Sequence, residues 1–196
     1  NHVTVPAPVR AIMSDENVWI DAFLGPSHVS VITGSKIYKE LASEFKRPIA
    51  ISGFEPLDIM ASVLNLVRQQ NAGTYEVYNE YARAVKEEGN VKAKELIAKY
   101  FEPCDFVWRG LGEIAQSGMK LKDEFAYLDA RVQFDCSVES AGESKACICG
   151  QILRGLAKPT DCKVFGKVCN PQNPIGSCMV SSEGACAAYF KYARVG

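Results

Sequence analysis

Asn17–Gln70, NVWIDAFLGPSHVSVITGSKIYKELASEFKRPIAISGFEPLDIMASVLNLVRQQ, alternates short apolar runs with amphipathic ones. NVWIDAFLGP is apolar and closed by Gly-Pro, which predicts a buried strand. Ser35 is expected to cap KIYKELASEFKR, where Ile37, Leu41 and Phe45 recur on one helical face. Pro48 ends that helix, and IAISGFEP reads as a second strand. Pro56 suits the first turn of LDIMASVLNLVRQQ, and Gly73 suits its end. The stripe Ile59, Met60, Val63, Leu64 and Val67 is expected to pack into the core.

Downstream, TYEVYNEY (Thr74–Tyr81) favours a third strand. Asn90 opens VKAKELIAKYF, with Leu96, Ile97 and Tyr100 on one side. Strand–helix repetition of this kind predicts an α/β layer with parallel pairing. After Phe101 the pattern weakens. CDFVWRGLGEIAQSGMKL reads as strand and turns, and KDEFAYLDARVQF as a short helix or extended bridge. From Cys136 on, Gly, Pro, Asn and Ser dominate and periodicity is lost. The expected division is a parallel α/β domain over 1–101, incomplete at its start, a bridge over 102–143 and an irregular cysteine-rich domain over 144–196.

The net charge of −1 gives no general reason to expect nucleic acid or an anionic membrane as partner. No apolar run approaches the roughly 20 residues of a membrane-spanning helix. The sequence begins at Asn1 without Met, which is read as a fragment or processed product.

Of eight cysteines, six fall between Cys147 and Cys186, spaced C-x-C-x12-C-x6-C-x8-C-x7-C. Paired C-x2-4-C knuckles of structural zinc sites are missing, as is a thioredoxin-type C-x-x-C. The dense ferredoxin runs do not fit either. Spread thiolates in a Gly/Pro-rich loop suit one 4Fe-4S cluster held by four of the six. Zinc and disulfide readings stay open. Glycines 150, 155, 166, 176 and 184 are expected to let backbone approach the sulfurs. Ser144–Gly196 carries seven Lys/Arg against two acids, a net of +5, which would offset thiolate charge or simply form a basic surface.

CICGQILRGLAKPTDCKVFGKVCNPQNPIGSCMVSSEGACAAYFKY closely resembles the C-terminal iron–sulfur domain of the HypD family of nickel–iron hydrogenase maturation proteins. GPSHVSVITGSKIYKELASEFKRPIAISGFEPLDIMASVLNLVRQ resembles the same family's middle α/β domain, and NHVTVPAPVRAI its lead-in. The resemblance implies one 4Fe-4S cluster with Cys147, Cys162, Cys169 and Cys186 as ligands. It implies a redox-active dithiol/disulfide pair in Cys149 and Cys178. It also implies a cytoplasmic scaffold and electron-supplying accessory in assembly of the Fe(CN)2CO group. A HypC-type chaperone and a HypE-type cyanide-donating protein are the implied partners. Family members are nearly twice as long, and the CGTH and GPGCPVC motifs of their N-terminal domain do not occur here.

Four other residues are candidates for the cleft of such a protein. His28 in GPSHVS follows a predicted strand, where α/β clefts form, or else is a turn histidine satisfied by backbone. Glu55 and Asp58 in GFEPLD either favour the helix N-terminus or line the cleft. Glu183 in SSEGAC is either a proton-handling group near the thiols or a turn residue. His2 reads as a strand-edge histidine, and Cys104 and Cys136 as free thiols without special role. Two further function classes compete: an iron–sulfur thiol–disulfide oxidoreductase, and a zinc- or disulfide-stapled binding module.

Overall fold

The computed structural model describes residues 2–134 and 144–193. The chain enters through β1 (His2–Val3) and α1 (Pro6–Met13), which prolines at positions 6 and 8 start well because first-turn amides need no partner. β2 (Phe23–Gly25), α2 (Ser27–Thr33), a 3-10 turn (Lys36–Tyr38) and α3 (Lys39–Glu44) follow. Then come β3 (Ile49–Ile51), α4 (Pro56–Ala72), β4 (Val77–Asn79) and α5 (Val91–Tyr100).

β2, β3 and β4 form a parallel sheet in that order, with Leu24 opposite Ala50 and Ala50 opposite Tyr78. The expected α/β layer with parallel pairing is present. β3 is buried at every position, because both its sides are paired and both its faces covered. Its Ile49 and Ile51 join Tyr38, Leu41, Ala42 and Val85 in the core, with Ile37 and Phe45 packed against them. The expected face of the Ser35 segment is thus correct. Its start differs: Ser35 makes no side-chain cap, and a 3-10 turn precedes the α-helix.

The strand expected over Asn17–Pro26 shrinks to Phe23–Gly25. Backbone groups of the remainder are used elsewhere. Trp19 donates its amide to the Arg154 carbonyl at 3.0 Å, and the Ile20 carbonyl accepts from Arg47 Nε at 2.7 Å. Arg154 Nη1 also reaches Asp15 Oδ2 at 2.5 Å, so this segment is tied to the cysteine-rich region.

α4 begins at Pro56 and ends at left-handed Gly73, φ 66°, as the sequence predicts. The face it buries is a correction. Met60, Leu64 and Val67 are 68%, 49% and 51% exposed, while Asp58, Ser62 and Leu66 are buried. Ser62 is fully buried on the inner side, and Asp58 is held by Arg83. The apolar stripe is left on the outer side.

Asn90 caps α5, its Oδ1 accepting from the Ala93 amide at 3.0 Å. Leu96 and Ile97 of α5 are exposed, and Tyr100 packs against Phe125. β5 (Phe101–Trp108) and β6 (Gly112–Leu121) make an antiparallel hairpin turned at Gly110, φ 84°. β1 joins its far side, pairing His2 with Met119. A 3-10 turn (Asp123–Leu128) and α6 (Ala130–Gln133) follow. Cys136 and Arg194 lie outside the described residues. The cysteine-rich region, expected to lack regular structure, folds as short helices α7 (Cys149–Leu153), α8 (Ser177–Val180) and α9 (Ala185–Tyr192). No helix among the described residues is long and apolar enough to cross a membrane.

Candidate metal centre and adjoining cleft

Each phrase between the cysteines builds a turn that delivers a sulfur. In KPTDC, Asp161 Oδ2 accepts the Lys158 amide at 2.8 Å, closing the 3-10 turn (Pro159–Asp161) that ends on Cys162. In VFGKVC, the Cys169 amide donates to the Val164 carbonyl at 2.9 Å, and Gly166 supplies the left-handed φ of 69°. In NPQNPIG, Asn170 Oδ1 accepts the Gln172 and Asn173 amides at 3.1 and 2.9 Å, folding the loop back. The Ile175 amide then points at Cys169 Sγ, 3.4 Å away.

Two of the five expected glycines meet the thiol region directly. A β-carbon on Gly176 would stand 2.4 Å from Cys147 Sγ, and one on Gly184 would stand 2.3 Å from the Cys178 carbonyl. Gly150 and Gly155 abut backbone instead, at Gly110 and Trp19. Gly166 has open space beside it and serves only its turn.

Cys149, Cys169, Cys178 and Cys186 form one buried cluster with Met179 and Ala187, and Cys147 packs against it. Cys162 is also buried. Cys178 Sγ lies 3.0 Å from Cys186 Sγ, and Cys149 Sγ lies 3.3 Å from the Ser177 hydroxyl. Burial pushes the Cys178 thiol well above its ordinary range, and the neighbouring Cys186 and Cys149 sulfurs push it further. Burial also raises Cys147 and Cys186. None of these six cysteines is in a disulfide, nor is Cys104.

The donor set fits a soft metal centre: five thiols share one apolar cluster, Cys162 is buried as well, and a backbone amide is aimed at one sulfur. Among the described residues, no three His, Cys, Asp or Glu side chains already converge as a coordination sphere. Sulfur ligation would therefore draw these thiols together from the positions described.

Where the Cys-rich region meets the parallel sheet, a cleft of about 360 Å³ opens at the C-terminal ends of β2 and β3. Gly25–Val29 forms one wall, Ser52–Phe54 another, and Glu183 reaches in from the loop before α9. His28 and Glu183, both picked out from sequence, are brought together here. The His28 ring sits 4.7 Å from that of Phe54. A larger cavity, about 550 Å³ between Pro171, Val180 and Phe190, lies on the cysteine-rich region itself and has Lys191 as its one titratable lining group.

The residue pattern is matched over residues 1–193 by the HypD family model, described as the Hydrogenase formation hypA family. The chain belongs to the HypD family. It is 50% identical over 201 residues to hydrogenase maturation factor HypD2 of Bradyrhizobium diazoefficiens, covering 99% of this chain and 53% of that protein. It is 47% identical over 200 residues to hydrogenase maturation factor HypD of Cupriavidus necator, covering 98% and 53%. A putative hydrogenase expression/formation protein of Methanocaldococcus jannaschii is 43% identical over 188 residues, covering 96% and 52%. The chain thus spans about half the length of these relatives.

Not every candidate of this HypD chain faces the cleft. Arg83 binds both Glu55 and Asp58, holding the Asp58 carboxyl well below the usual carboxylate range. Glu55, at the helix N-cap, makes no side-chain capping bond. His2 is a strand-edge residue, its ring edge-on to Phe101 at 5.2 Å. Sequence reasoning missed Ser177 beside Cys149, and Arg83 and Arg154, whose partners are 25 and 139 residues away. No local pattern signals pairings of that range.

Proposed function

We propose that this chain acts in maturation of nickel–iron hydrogenases, as a scaffold and electron-supplying accessory for assembly of the Fe(CN)2CO group. The observation that supports it is the clustering of five thiols in the region from which Glu183 reaches into a cleft shared with His28. Cys147, Cys162, Cys169 and Cys186 hold one 4Fe-4S cluster in this reading, with Cys149 and Cys178 as the dithiol/disulfide pair. A bound cluster would supply electrons one at a time. The protein's own part is to bury the sulfurs and to hold Cys149 and Cys178 in one cluster. Reduction of the pair takes two electrons and two protons, and reoxidation returns them.

The cleft receives the iron to be decorated, with His28 and Glu183 available to hold or move protons at its edge. A HypC-type chaperone and a HypE-type cyanide donor are the proposed partners, and the cytoplasm the proposed location. The proposed organisation is an α/β domain over 1–101, a bridge over 102–143 and the cluster domain over 144–196.

Metal and sulfide analysis of the anaerobically purified chain tests this reading. About four iron and four sulfide per chain, with visible charge-transfer absorption, is expected. One zinc, or no metal after reconstitution with iron and sulfide, overturns it and leaves the stapled binding module.

A further inference from the structure

Glu55 and Asp58 do not line the cleft, and their charge is taken up by Arg83. Nη1 of Arg83 donates to Asp58 Oδ1 at 3.1 Å and Nη2 to Asp58 Oδ2 at 2.6 Å, while Nη2 also reaches Glu55 Oε2. The guanidinium lies over the Tyr81 ring, 4.4 Å from its centroid. This fork matches a carboxylate in a way a single ammonium does not.

The carboxylate so held covers Gly53. A β-carbon on Gly53 would meet Asp58 Oδ2 at 1.8 Å and the Tyr81 ring at 2.9 Å. Gly53 is buried, and the next residue, Phe54, is 60% exposed and has little packing of its own to fix it. Its ring nevertheless rests on His28, 4.7 Å away, as part of the cleft wall. The position of Phe54 is thus inherited from the backbone at Gly53.

We propose that Arg83 is a positioning residue for the cleft: by pinning Asp58 over Gly53 it seats Phe54 against His28. The functional consequence rests on the reading that His28 works in the cleft; the positioning itself does not. Arg83 is not itself among the residues that line the cleft. It acts through Asp58 and the turn that the carboxylate covers.

The test is nuclear Overhauser contact between the His28 and Phe54 rings in this chain, with metal absent. In Arg83→Ala the contact and the ring-current shift on the His28 protons are expected to disappear. Amide shifts of β2 and α5 should stay in place, showing that the fold persists. Arg83→Lys should restore the contact in part, and Asp58→Asn should weaken it. An undiminished ring contact in folded Arg83→Ala overturns the proposal. If Arg83→Ala does not fold, undiminished contact in both Arg83→Lys and Asp58→Asn does the same. A hydrogenase-maturation assay of His28→Ala in the full-length protein reports separately on the cleft reading. Loss of the ring contact in Arg83→Ala beside normal maturation in His28→Ala would sink that reading and leave the positioning role standing.

Discussion

Gly176 faces Cys147 so closely that a β-carbon on it would stand 2.4 Å from the sulfur. The same β-carbon would lie 3.5 Å from Cys149 Cβ and 3.9 Å from Cys178 Sγ, so one hydrogen's width of space serves three cysteines. Gly176→Ala should therefore displace Cys147. The expected loss of stability is of the order of 1–3 kcal/mol, typical of overpacking. Iron content after anaerobic reconstitution should fall well below wild type, and a variant with wild-type iron and melting temperature would contradict this.

Cys178 sits within reach of two sulfurs, so the division into ligands and redox pair can be tested at that residue. Cys147→Ala, Cys162→Ala, Cys169→Ala and Cys186→Ala should each lose nearly all cluster iron. Cys149→Ala and Cys178→Ala should retain most of it. The 3.0 Å approach of Cys178 to Cys186 makes Cys178→Ala the informative variant. Complete iron loss there would move Cys178 into the ligand set.

Asp58 is held below its ordinary 3.8 by the Arg83 hydrogen bonds. A carboxyl that is more acidic folded than unfolded means that the unfolded chain binds the proton more tightly. Its contribution is thus complete above 3.8 and is lost as pH falls through the lower folded value. Thermal melts taken downward from about pH 5 should show wild type losing stability over that window more steeply than Asp58→Asn. Parallel curves would mean that the pairing contributes nothing to folding.

The orientation of α4 makes an unusual pair of expectations. Leu66 is 6% exposed and Met60 is 68% exposed. Leu66→Ala should cost about 2–4 kcal/mol in urea titrations, whereas Met60→Ala should stay within about 0.5 kcal/mol. The reverse ranking would turn the helix by half a revolution.

That helix also marks where the sequence stopped being readable. Pro56 and Gly73 bound it through backbone chemistry that any neighbour would leave unchanged, as does the Asn90 cap of α5. The alternation that makes β2, β3 and β4 parallel was equally legible, because period and length are local properties. Which side of α4 faces inward is not local. An apolar stripe shows that a surface wants covering, not what covers it, and here Asp58, Ser62 and Leu66 are the residues turned inward. The cysteine region behaved similarly. Its turn-forming words could be read one by one, while the meeting of Gly176 with Cys147, and of Ser177 with Cys149, belongs to the assembled fold.

Order of synthesis gives the long-range ties a temporal meaning. A ribosome releases His2 and Val3 long before their partners Met119 and Gly118, and Asp15 long before Arg154. The strands of the parallel sheet, in contrast, are all available once Asn79 has emerged. Domains that can close early generally do so during translation. His2 and Val3 then wait for Met119 and Gly118 while β2, β3 and β4 can already pair, and Cys147–Cys186 follow onto a sheet that already exists.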